Sequence, residues 1–292
     1  MTLHVVTDST SDIPRDLADA LDITIIPLTV TFGTESFRDG IDLHGDEFYR
    51  RLQEAKTLPT TSQPPPALFQ YAYEHLSSQG EVVSVHLSHK FSGTVETARS
   101  VARAVAPDKI SVVDTGSVSM ALGMCVLAAA RVARDGGSRA ACVAAAESVA
   151  SRLRIAVAFE TLEYLRRGGR IGRATAFLGG LLRLKPILTV KDGETHPVTR
   201  VRSRAKALDE LFALCGVPGV SEVAVLHTTT PDDAAHLAQR AREALPGVTV
   251  HEGRFGPALG VHGGPGMIGL AVVAGRGECA GTTGATRSLV AV

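Results

Sequence analysis

Two α/β domains are predicted from three features of the sequence. Short apolar runs with β character alternate with helical patterns from one end of the chain to the other. The length of 292 residues, 45% of them hydrophobic, supports a sizeable core and favours two domains over one. In the first half, each apolar run passes through a polar turn into a helical pattern, the punctuation of a largely parallel sheet. The expected division is 1–154 and 155–292, with a largely parallel sheet in the N-terminal domain and a loose Gly-, Thr- and Ala-rich tail from about residue 275.

Taken in order, strands are expected at 3–7, 24–32, 82–87 and 110–113. Helices are expected at 14–21, 46–55, 67–77, 93–105 and 118–133, the last ended by Gly136 and Gly137. Ser138 opens an alanine-rich helix that runs to about Arg154. A strand over 155–159 starts the second domain, followed by a helix from Thr161 to the Gly168-Gly169 pair and a further helix before Lys185. In ILTVKDGETHPV, Asp192-Gly193 suits a type I′ turn and predicts a hairpin. Ser203 caps the next helix, and Thr230-Pro231-Asp232-Asp233 combines a cap, a first-turn proline and acids at the positive end of a helix dipole. Strands at 223–226 and 248–251 flank that helix, and a strand at 268–273 follows.

Composition narrows the function. Thirty basic residues balance thirty acidic ones without long single-sign runs, which argues against a polyanionic partner such as nucleic acid. Cys125, Cys142, Cys215 and Cys279 show no CxxC spacing and read as small apolar residues in a reducing cytoplasm. The N-terminus has no basic start followed by an apolar core, and the longest apolar stretch, 120–130, is too short to span a bilayer. The expectation is a soluble, unexported, cytoplasmic protein.

Polar chemistry concentrates in a few turns. Asp8-Ser9-Thr10-Ser11-Asp12, Ser88-His89-Lys90-Phe91-Ser92-Gly93-Thr94 and Asp114-Thr115-Gly116-Ser117 follow predicted strands, and LPTTSQPPP, residues 58–66, precedes a helix. In an open parallel sheet, ligands bind beyond the carboxyl ends of the strands, so these turns offer neutral donors for an anion. Helix capping is the alternative use of the same residue types. Capping explains less of Thr60-Thr61-Ser62, which has more hydroxyls than one cap needs. It also explains less of FSGT, where Gly93 would let backbone approach a ligand. There is no GxSxG, GxxxxGK[ST] or HExxH, and the GxGxxG match at 264–269 precedes a strand, which is the wrong context for a dinucleotide. Asp8 reads as an Asx turn more readily than as a nucleophile. Among the second domain's cations, Arg166, Arg167, Arg173, Arg183, Lys185, Arg200 and Arg204 read mainly as solvated faces. Arg170 stands at a break between helices, and His262 lies in a glycine-dense loop where packing is not expected to account for it.

Together, VTDSTSDIP, LPTTSQP, FSGT, DTGSVSMALG, LEYLRRGGRIG, LLRLKPIL, TRVRSRAKAL and FGPALGVHGGPGMIG resemble the DegV family in order and spacing over residues 5–270. The family is known as the fatty-acid-binding subunits of a bacterial fatty acid kinase. The resemblance implies two α/β domains of the DegV type and a lipid pocket between apolar elements. A long-chain fatty acid would be the ligand, with no other cofactor and no metal. Thr61 and Ser92 would hold the carboxylate, with Thr60, Ser62, Gly93, Thr94, Arg170 and His262 supporting, while Arg202 and His262 would serve the partner. That partner would be a separate ATP-dependent kinase that forms an acyl phosphate, with transient membrane contact and no nucleic acid. Three features depart from the family pattern: the proline run after TTSQ, Val95 where an aromatic is common, and the Gly/Thr-rich tail, which has no counterpart.

The resemblance gives the prolines of 58–66 a physical reading. A carboxylate buried without partners costs several kcal/mol, and prolines on both sides would fix donor hydroxyls before the ligand arrives. The implied protein is a carrier without catalytic activity of its own. The alternatives are an enzyme acting on a small carboxylated or phosphorylated metabolite, with Asp8 or His262 as acid or base, and a regulatory lipid sensor.

Overall fold

The computed structural model describes residues 2–178 and 184–275. Its described residues form two compact units: one contains residues 2–151 together with Gly256–Val261, the other contains the rest.

In the first unit the elements are β1 (Thr2–Asp8), α1 (Arg15–Ala20), β2 (Ile23–Ile26), β3 (Thr29–Phe32), β4 (Glu35–Arg38), α2 (Gly45–Glu54), β5 (Thr60–Ser62), α3 (Pro66–Gln79), β6 (Gly80–His86), α4 (Thr94–Val105), β7 (Ile110–Asp114), α5 (Met120–Arg134) and α6 (Arg139–Arg152). The main sheet runs β2-β1-β6-β7 and is parallel throughout. Its strands are apolar on both faces because helices cover both, as the sequence runs suggest. Val6, Ile26, Val82 and Ile110 pack with Phe69 and Tyr73 of α3 and Ala98 and Ala102 of α4. Residues 120–127 of α5 are all buried, so this helix reads as apolar nearly all round.

The single strand expected over 24–32 is two strands in different sheets. Pro27 has no N–H for the ladder, and the chain turns there: the Leu28 N–H donates to Ser9 Oγ at 3.0 Å and the Asp39 N–H to the Leu28 carbonyl at 2.8 Å. β3 becomes the centre of a small antiparallel sheet, β4-β3-β5. The hydroxyl cluster expected in a loop is therefore strand β5, with Thr61 opposite Val30. Pro59 and Pro64 flank it, which keeps it short.

The second unit contains β8 (Leu153–Ala158), α7 (Glu163–Arg167), β9 (Lys185–Lys191), β10 (Glu194–Val201), α8 (Arg204–Phe212), β11 (Glu222–His227), α9 (Pro231–Ala244) and β12 (Thr249–Arg254). Then come α10 (Pro257–Gly263), whose first residues belong to the first unit, and β13 (Ile268–Val273). The six-stranded sheet runs β10-β9-β8-β13-β11-β12. The largely parallel sheet was expected in the N-terminal domain; in this second sheet only β11 and β12 pair in parallel, across the crossover helix α9. Elsewhere the connections lack such a crossover and the strands return antiparallel. The β9–β10 hairpin turns at Asp192 and Gly193, both at positive φ (50° and 79°), as a type I′ turn requires.

Several local starts follow the expected chemistry. Ser203 Oγ accepts from the Lys206 N–H at 3.2 Å, and Ser138 Oγ from the Ala141 N–H at 3.2 Å. Thr230 makes no side-chain cap for α9; its hydroxyl accepts from Arg204 Nη2 at 2.9 Å instead. The helix from Thr161 is shorter than expected, Glu163–Arg167, and Gly172–Phe177 is a 3₁₀ segment. The expected helix before Lys185 in part, Arg183, Cys279 and the tail beyond residue 275 lie outside the described residues.

Candidate functional site

Three of the polar turns do emerge at one edge. Asp8, His86 and Asp114 are the last residues of β1, β6 and β7, which are neighbours in the parallel sheet, so the turns that follow them lie together at its carboxyl end. The fourth segment arrives through a side chain that sequence reasoning passed over. Gln63, directly after β5, donates from Nε2 to Thr97 Oγ1 of α4 at 2.7 Å. Its Oε1 occupies the space where a side chain at Gly93 would begin, 2.3 Å from an ideal Cβ. The missing side chain at Gly93 is therefore filled by Gln63 rather than left for a ligand. Thr61-Ser62 and Ser92-Gly93-Thr94 are thereby brought together.

Within this site Ser92 Oγ lies 2.8 Å from Thr94 Oγ1, and Thr94 is buried at the start of α4. In β5 the side chains alternate, so half-buried Thr61 lies on the face opposite exposed Thr60 and Ser62. Thr61 and Ser92 are both partly buried, the state suited to a polar group that meets a ligand at the rim of an apolar region.

Beneath the turns runs a buried polar chain. Tyr73 Oη donates to Ser84 Oγ at 2.8 Å, Ser84 Oγ lies 2.7 Å from His86 Nε2, and His86 Nδ1 lies 2.8 Å from Asp8 Oδ2. Asp8 Oδ1 accepts from the backbone N–H and hydroxyl of Thr10, the expected Asx turn, and Oδ2 also accepts from the Leu87 N–H at 3.3 Å. Asp8 and His86 are fully buried with both carboxylate oxygens engaged. The Asp8–His86 pairing was missed because the register of β1 and β6, in which Val6 faces Ser84, is not written in either strand alone.

Two further acids, also missed, grip the start of α10. The Gly256 N–H donates to Asp12 Oδ1 at 3.0 Å, and the Ala258 N–H to Asp39 Oδ1 at 3.2 Å. Ser119 and Ser9 donate to the other oxygens, each at 2.7 Å. Burial pushes the Asp39 carboxyl up to about 6 against those hydrogen bonds, and the nearby Asp8 charge adds to the rise. Burial likewise raises Asp12 well above the ordinary carboxylate range, with Asp39 and Asp8 contributing.

In the second unit His262 and Arg170 come together. His262 belongs to helix α10 and packs against Gly168, where a side chain would begin 2.1 Å from His262 Nδ1. The expectation of a loop histidine with no packing role is thus corrected. Burial first, and the Arg170 charge second, push its imidazole down to about 4. Arg170 Nη1 donates to the Gly168 carbonyl at 2.7 Å and its own carbonyl accepts from Thr195 Oγ1 at 2.9 Å. Arg202 is exposed, just ahead of the Ser203 cap, apart from that pair in the sequence of elements. Among the described residues no group of acids, histidines and cysteines is arranged to hold a metal ion, and no helix is long and apolar enough to cross a membrane.

The DegV family model matches residues 2–275. The chain belongs to the DegV family. A DegV domain-containing protein of Streptomyces coelicolor is 40% identical over 280 residues, covering 93% of this chain and 99% of the relative. A DegV family protein from Thermus thermophilus, whose solved structure is described by its fatty acid binding, superposes with a TM-score of 0.86 at 35% identity, covering 94% of this chain and 100% of that one. DegV of Bacillus subtilis, described as a fatty acid binding protein, gives a TM-score of 0.85 at 33% identity, covering 94% and 99%. The two-domain α/β fold of these DegV structures is the fold of this chain.

Proposed function

We propose that this DegV protein binds one long-chain fatty acid, with Thr61 and Ser92 taking the carboxylate, and presents that carboxylate to a separate ATP-dependent kinase. The observation that carries the reading is the Gln63 bridge, which sets strand β5 beside the turn before α4, so that two hydroxyl segments distant in sequence serve one headgroup. Relatives described as fatty acid binding, at 35% and 33% identity over nearly the whole chain, supply the ligand class.

The energetics divide the work. At about 0.8 kcal/mol per buried methylene, a sixteen-carbon tail contributes on the order of 10 kcal/mol before the costs of association, so the tail sets affinity. The hydroxyls set orientation, since a carboxylate left without donors would forfeit several kcal/mol of that gain. Thr60, Ser62, Gly93 and Thr94 shape the donor segment. Arg170, His262 and Arg202 offer cations and an imidazole suited to a partner that handles phosphate. The protein acts as a carrier with no catalysis of its own, in the cytoplasm where such a kinase would have ATP.

Asp8, fully buried with both oxygens engaged, is unsuited to the acid or base role of the metabolite-enzyme alternative. Native mass spectrometry of protein purified without detergent tests the carrier reading: a co-purifying long-chain acid is expected in wild type and a reduced amount in Thr61→Ala/Ser92→Ala. Wild-type retention by that variant would refute the headgroup assignment. With the kinase and ATP added, Arg202→Ala should retain lipid yet turn over poorly, and unchanged turnover would count against its partner role.

A further inference from the structure

We infer that His89, oriented by Asp114, is a further contact for the acid headgroup, standing beside Ser92 in the same turn; this rests on the fatty acid reading above. Asp114 ends β7 next to the end of β6, with His86 as its register partner. Asp114 Oδ2 lies 2.6 Å from His89 Nδ1 and accepts from the His89 N–H at 3.4 Å, while Oδ1 accepts from the Gly116 N–H at 2.9 Å. A carboxylate supplied with backbone donors only accepts, so the imidazole hydrogen sits on Nδ1. The ring is then held through one nitrogen, and Nε2 is turned away from the bond that fixes it.

The exposures fit a presented ring on an inner support, since the His89 side chain is 53% exposed and that of Asp114 only 14%. An exposed pair of this kind adds little to stability, so its evident effect is orientation. The turn itself places His89 with Ser92. The Phe91 and Ser92 N–H groups both donate to the Ser88 carbonyl, at 3.0 and 3.2 Å, which makes 88–92 a single helical turn. Residues three apart on such a turn lie on one side, with Cβ atoms roughly 5–6 Å apart. An acid headgroup has two oxygens, each able to accept more than one bond, so those that meet Thr61 and Ser92 leave room for His89 Nε2. The bond forms whether the shared proton sits on the imidazole, facing a carboxylate, or on the acid, facing a neutral ring. An ester has neither the charge nor the proton and loses the contact.

The full-length protein is tested with hexadecanoic acid and its methyl ester, in wild type and in His89→Ala, His89→Asn and His89→Gln, with melting curves to check folding. Asn puts its amide near the Nδ1 position and keeps the Asp114 bond; Gln reaches the Nε2 position. His89→Ala and His89→Asn should bind the acid roughly ten-fold or more weakly, the effect of losing one hydrogen bond to a charged group, with ester affinity unchanged. His89→Gln should stay within a few-fold of wild type. Equal acid binding by every variant, or retention by Asn with loss by Gln, overturns the assignment while leaving the fatty acid reading in place. A wild-type protein that binds neither probe overturns both.

Discussion

Replacing Asp39 by Asn should make the stability difference from wild type depend on pH, by an amount the site allows to be worked out. Asp39 is buried beside Asp8 and Asp12, and its carboxyl sits at about 6 in the folded protein against an ordinary value of 3.8. A raised acid binds its proton more tightly when folded. Its stabilising contribution is therefore present at low pH and is lost as pH rises through about 6. Between pH 7.5 and 5.0 the linkage relation gives on the order of 1 kcal/mol of added stability from this one group. The wild-type profile alone hides it, because His262, held near 4, works in the opposite direction over the same range. Subtracting the two proteins removes that background. In urea titrations, Asp39→Asn should gain on wild type at pH 7.5, since it removes an uncomfortable charge while its amide oxygen still accepts from the Ala258 N–H. That advantage should shrink by roughly 1 kcal/mol at pH 5.0. Relief of Asp12 in the variant has the same sign and can only enlarge the change. An Asn variant whose difference from wild type is the same at both pH values would refute the reasoning, and Asp39 would have to be solvated in a way its geometry does not suggest.

Two further outcomes follow from close contacts. In Gly93→Ala the new methyl group would stand 2.3 Å from Gln63 Oε1. Gln63 is flexible, so stability should change by less than about 1 kcal/mol, but its bond to Thr97 should be lost and retained fatty acid should fall; unchanged retention would show that the Gln63 bridge does not align the hydroxyls. His262 should remain neutral through pH 5 when its ring protons are followed by NMR, because burial holds it near 4. Its stabilising effect is complete above about 6.5 and is lost as pH falls toward 4, and a midpoint at or above 6 would contradict the burial described.

The parts of the fold that could be read in advance are those decided by neighbours in sequence. β1, β6 and β7 are largely apolar runs closed by polar turns, with helical patterns between them, so the parallel sheet followed from local chemistry. Asp192-Gly193 announced its hairpin because two successive residues at positive φ have few other uses. What failed depended on distant partners. β5 has no pattern of its own and is a strand only because β3 lies beside it, and β3 is free to do so only because Pro27 detached it from β2. The strand order of the second sheet depends on which strands meet, and β13, the last strand among the described residues, lies between β8 and β11. The helical state of 257–263 was obscured by glycines and is secured by Asp12 and Asp39, more than two hundred residues earlier.

The candidate site divides along the same line. Its hydroxyls were visible because the residue types cluster, whereas the groups that give them position were not. Gln63 aligns one segment with the other from a place that carries no signal except its neighbours. Asp8, the most conspicuous acid at the sheet edge, is spent on holding β1 to β6 through His86, and its burial takes it out of reach of any ligand. Asp114 occupies the equivalent end of β7, but its partner His89 points outward and stays half-exposed. The same acid–imidazole pairing at two strand ends thus has two consequences set by burial alone: beneath the turns it stiffens the platform, and at the rim it presents a ring nitrogen beside the hydroxyl of Ser92.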